Sequence, residues 1–161
     1  MLNIKIENTG DFIRKLVNTD MFDSFLLVDA VIRSGSTYHI NGGLNKEFYD
    51  DDELKLLPST IYSAFSANRH LIYDMIKGKN KPLGFKIILI LSDQAVTKII
   101  EQNNLAITSD DVANFSLNII FDGNKLNLTA LASLKTFSTD KSTEELWDSY
   151  IKLFLKKHEI N

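Results

Sequence analysis

A chain of 161 residues, 44% hydrophobic and 24% charged, is long enough to bury a sizeable core in one domain and too apolar for wholesale disorder. It contains no Cys, which removes disulfides, thiolate metal sites and Cys nucleophiles together and fits a reducing compartment, so a cytoplasmic protein is expected. The net charge of −3 leaves no basic surplus for neutralising phosphates, and a general nucleic-acid binder is not expected.

The N-terminal stretch Met1 to Glu7 alternates like a strand and lacks the apolar run of a signal peptide. No segment approaches the roughly 20 apolar residues of a membrane span, so no membrane partner is expected. Thr9 is placed to cap a helix over about Asp11 to Asn18, with Phe12, Ile13, Leu16 and Val17 on one side. Ser24 to Arg33 reads as a strand, Ser34-Gly35 as a tight turn, and Ser36 to Asn41 as the second arm of a hairpin that Gly42-Gly43 ends.

Leu44 to Pro58 is the longest irregular stretch and holds an acidic cluster, Asp50 to Glu53. Ser59 to Lys77 reads as a helix with Ile61, Phe65, Leu71, Ile72, Met75 and Ile76 inward, stopped by Gly78 and Pro82. Leu83 to Leu91 is strongly apolar on both faces, the pattern of a central strand. Ser92 or Asp93 caps a helix to about Asn103. Asn114 to Phe121 and Lys125 to Leu134 alternate around Asp122-Gly123 and form a second hairpin. Ser142-Thr143-Glu144-Glu145 has the capping-box pattern and opens a last helix with Trp147, Tyr150, Ile151 and Phe154 on one side. The whole predicts a single-domain α+β fold over residues 1–161, with a largely antiparallel sheet of about six strands and about four helices packed on it.

Several phrases occur together along the chain: Phe22-Asp23-Ser24-Phe25-Leu26-Leu27-Val28, Leu44-Asn45-Lys46-Glu47-Phe48-Tyr49, Ile76-Lys77-Gly78-Lys79-Asn80-Lys81-Pro82, and Phe137 to Ser142 leading into Glu145-Leu146-Trp147-Asp148. With them the chain resembles, over nearly its full length, a family of uncharacterised small single-domain proteins of low-GC Gram-positive bacteria, a domain of unknown function. The resemblance implies one domain and no particular activity, substrate or catalytic residue.

Three constellations could carry chemistry. Arg69, Lys77, Lys79, Lys81 and Lys86 cluster in sequence where a helix ends and a strand begins, which suits an anion; the plainer role is to offset the negative end of the helix dipole. The acids at Asp50 to Glu53 are hard-cation donors by type, but the calcium-loop spacing is absent and a solvated loop is expected. Asp29 interrupts an apolar strand. With a two-residue Ser34-Gly35 turn it lies opposite Ile40, with His39 on the other face; a one-residue change of register would set Asp29 opposite His39 as an Asp-His couple. Otherwise Asp29 faces solvent or a neighbouring Lys.

No nucleophile elbow, phosphate-binding Gly-rich loop or dinucleotide fingerprint is present, and no two of the three His show metal-ligand spacing. No catalytic residue, metal ligand or cofactor is assigned. The expected function is therefore a non-catalytic binding or interaction module, with a protein partner or self-association and an unknown small-molecule ligand left open. The alternative is a small enzyme or anion-binding protein with a non-standard site. An exposed apolar patch would favour the first, and a deep pocket lined by Asp29 or His39 the second.

Overall fold

The computed structural model describes all 161 residues. The alternating stretches become strands: β1 (Leu2–Ile6), β2 (Phe25–Arg33), β3 (Thr37–Asn41), β4 (Ser63–Ala64), β5 (Gly84–Leu91), β6 (Val112–Phe121) and β7 (Leu126–Leu134). They form one seven-stranded sheet in the order β1-β7-β6-β5-β2-β3, and the two-residue β4 shares with β3 the free edge of β2. Every pairing is antiparallel. The helices are α1 (Thr9–Asn18), α2 (Asp51–Leu56), α3 (Phe65–Ile76), α4 (Asp93–Gln102) and α5 (Ser142–Lys157), and the architecture is α+β. None is long and apolar enough to cross a membrane.

The register sorts the strand residues onto two faces. Leu27 lies opposite Leu89 and Ala30 opposite Ile87, and those rows continue through Leu117 and Ile119 to Ala130 and Leu128. All of these are buried and belong to one core. Helices α1, α3 and α5 bury Phe12, Leu16, Phe65, Ile72, Trp147 and Ile151 in that core. Its centre is aromatic. Phe22 contacts Phe12, Phe25, Phe65 and Phe154, and Trp147 stacks on Phe115 at 5.0 Å. Each such side chain contributes on the order of 1.5–3 kcal/mol by burial. At Val28 the β2–β5 register slips, and this bulge keeps Ala30 and Ile32 inward after Leu27.

Several local expectations are corrected. Asn8, and not Thr9, caps α1 by accepting from the Asp11 amide at 3.0 Å. The supposed loop at 44–58 contains a 3-10 turn at Lys46–Phe48 and α2, whose capping box pairs Asp50 with Glu53. The helix expected from Ser59 starts only at Phe65, because 62–64 run extended and bridge to Gly43 and to β2. Ile61 accordingly stands exposed instead of inward, and Leu71, within α3, is also exposed. No capping box forms at Ser142: the Asp140 carboxylate accepts from the Ser142 amide at 2.9 Å, and the Glu145 amide bonds the Lys141 carbonyl. The β6–β7 link occupies four residues, with Phe121 opposite Leu126, while the inward sets of both strands are those the alternation predicts.

Candidate functional site: the open face of the sheet

The helices bury one face of the sheet, and the opposite face carries three rows of side chains. One row runs Leu26, Ile90, Ser116, Leu131; the next Asn41, Asp29, Ile88, Asn118, Thr129, Asn3; the third His39, Val31, Lys86, Ile120, Asn127, Lys5. Leu26 is buried yet stands outside the main core cluster. The face grades from apolar at one end to polar and charged at the other.

At the apolar end the floor sinks into a groove of about 540 Å³, with Leu26, Val28, Ile88, Ile90 and Leu131 beneath and Ile61 and Tyr62 at its side. Asn114, Ser116 and Asn118 supply hydrogen-bonding groups, and Asp93 is the sole charged residue lining it. An adjoining hollow of about 380 Å³ shares Ile61, Ile90, Asp93, Ala113 and Asn114 and adds Asp110 and Lys135.

The side wall belongs to an arm, residues 44–61, that leaves the sheet after β3 and returns before β4. Its neck is closed by hydrogen bonds from the Leu44 amide to the Ile61 carbonyl and from the Ser63 amide to the Gly42 carbonyl, both 2.8 Å. Gly42 is required there: a Cβ would lie 1.9 Å from the Leu27 carbonyl oxygen. Neither helical turn of the arm buries a residue. Phe48, Leu56 and Ile61 are 81%, 85% and 65% exposed, an unusual density of free apolar side chains for so short a segment. Five acids and two lysines give the arm a net charge of −3, equal to that of the whole chain; the remaining residues balance at sixteen of each sign. Within the acidic run, Asp50 accepts from the Glu53 amide at 2.8 Å, and that backbone bond holds its carboxyl below the ordinary carboxylate value.

The structure brings Asp29 and His39 together, with Nε2 of His39 2.5 Å from Oδ1 of Asp29. The route differs from either register considered in the sequence. Arg33 pairs with Thr37 across a three-residue loop, so Asp29 lies opposite Asn41, and His39 reaches it along the diagonal of the same face. Neither residue lines the groove.

The five basic residues are dispersed over both layers. Arg69 is paired with Asp23 on the helical side. Lys77 is 3.0 Å from Asp74, which raises its pKa, and lies over the Tyr73 ring. Lys79 and Lys81 are exposed in the loop after α3, and Lys86 stands on the open face between Val31 and Ile120.

The groove residues were not singled out by motif, yet one signal pointed to them. In a sheet with helices on one side only, a strand apolar at successive positions must turn part of that surface outward. That is where Ile88 and Ile90 of β5 stand.

The model of a family of unknown function (DUF5721) matches residues 15–161, and the chain belongs to that family. No curated protein and no solved structure matches it.

Proposed function

We propose that this family member is a cytoplasmic, non-catalytic binding module and that the groove on its open sheet face is the binding surface. The observation carrying this reading is a partly exposed apolar floor that stands outside the core, beside an arm rich in free apolar side chains. A monomer gains little by leaving Ile88, Ile90 and Leu131 half-buried there unless something covers them. The lack of Cys supports a reducing compartment, and the Asn-, Ile- and Lys-rich composition supports a low-GC Gram-positive bacterial source. The contact of Asp29 with His39 favours a second reading, a small enzyme, but that pair lies outside the groove, with His39 open to water and Asp29 half-buried.

Nile red, a neutral apolar dye, tests the binding reading. The natively folded chain should enhance and blue-shift its emission, and Ile61→Asn, at an exposed position, should reduce the effect without lowering the melting temperature. No enhancement, or enhancement indifferent to Ile61→Asn, would overturn it.

A further inference from the structure

We infer that the occupant of the groove is a protein segment that presents an apolar side chain flanked by Lys or Arg. The inference rests on the binding reading above and adds the chemistry of the partner. Shape requires an apolar anchor, because the floor offers five aliphatic side chains while the polar residues, Ser59, Tyr62, Asp93, Asn114, Ser116 and Asn118, stand among and around them.

Charge selects what surrounds the anchor. Asp93 is the one charged residue in the groove, and in the adjoining hollow Asp93 and Asp110 outnumber the single Lys135. An anionic ligand would meet that field unfavourably, and a cationic one is drawn in by it.

Extent selects a polypeptide over a small molecule. The surface runs from the groove through the adjoining hollow, and Ile61, which lines both, joins them into one continuous stretch. A backbone laid over the floor can also use the amide groups of Asn114 and Asn118 as donors and acceptors.

The test uses the full chain and three short labelled peptides: alternating Lys-Leu, alternating Glu-Leu, and alternating Lys-Ser. Fluorescence anisotropy should show binding of the Lys-Leu peptide alone, weaker at high salt than at low. Ile61→Asn should weaken it about tenfold or more, the effect of losing an apolar anchor. Asp93→Asn, and separately the pair Asp51→Asn and Asp52→Asn, should weaken it about two- to fivefold at low salt, with smaller losses at high salt. Equal binding of the Glu-Leu peptide, binding of Lys-Ser as tight as Lys-Leu, or indifference to these substitutions would overturn the inference. So would no binding of any peptide. If Nile red still responds to Ile61→Asn in that last case, the partner class fails and the binding face stands; if it does not, both fail.

Discussion

The indole Nε1 of Trp147 donates to the backbone carbonyl of Ser116 at 2.9 Å, joining the last helix to the strand whose other side floors the groove. The ring is fully buried between Phe115 and Tyr150, stacked on the first at 5.0 Å and on the second at 5.3 Å. Trp147→Ala should cost about 3–5 kcal/mol, since it removes the largest buried side chain and leaves a cavity. Trp147→Phe keeps much of the packing but strips the Ser116 carbonyl of its side-chain donor, and should cost about 1–3 kcal/mol. Urea unfolding of both variants checks this order; equal and small losses would show that the indole is not an anchor.

Removal of the chain after Thr139 should be worse than any point change. It takes away Trp147, Ile151 and Leu155 and uncovers the inner face of β7. The fragment should be insoluble or lack a cooperative melt. A soluble 1–139 fragment with a sharp transition would contradict the packing described.

Two glycines separate steric need from chance. Gly42→Ala drives a Cβ against the Leu27 carbonyl at the neck of the arm and should destabilise by about 1–3 kcal/mol or more. Gly35→Ala, in the β2–β3 loop, meets nothing within 4 Å and should change stability by less than about 0.5 kcal/mol. Thermal melts of the pair decide, and equal effects would refute the close approach at Gly42.

Acidification should weaken the fold in two windows. Burial, with Lys157 and Lys15 nearby, lowers the pKa of His158 below the ordinary 6.5, although Asp20 pulls the other way. The folded state thus favours the neutral ring, and its contribution is complete above 6.5 and lost as pH falls through the lowered value. Asp122 is held below 3.8 by amide donors from Lys125 and Asn124, so its share persists above 3.8 and is lost only in stronger acid. Urea midpoints from neutral pH to about 5 should decline less in His158→Gln than in the unaltered chain. The same decline in both would exclude His158 as the source.

Legibility followed the reach of each signal. The β6–β7 hairpin was readable because its alternation is long and both partners lie close in sequence. The cover that Trp147 and Ile151 provide was readable for another reason, the spacing of three and four residues that gathers the apolar side chains of α5 on one side. Ile61 is misplaced because helical spacing continues through Ser59 to Tyr62, while the bridge of Tyr62 to Gly43 is a contact between distant residues that pulls this stretch into extended form; Leu71 is helical as expected but stands on the outer side of α3 beside the buried Ile72. The Asp29–His39 contact depended on one residue of loop length, which local turn chemistry around Ser34-Gly35 does not determine. The groove was least visible of all. Leu26, Ile90 and Leu131 look like core residues in sequence, and only the pairing register shows that they share a row outside the core.

Amide chemical-shift mapping during titration with the Lys-Leu peptide tests the binding face most directly. Saturable shifts should concentrate at Leu26, Ile88, Ile90, Ser116 and Asn118 and along the wall at Ile61 and Tyr62, with the helical face silent. Shifts centred on α1, α3 or α5, or on the exposed lysines after α3, would contradict the account.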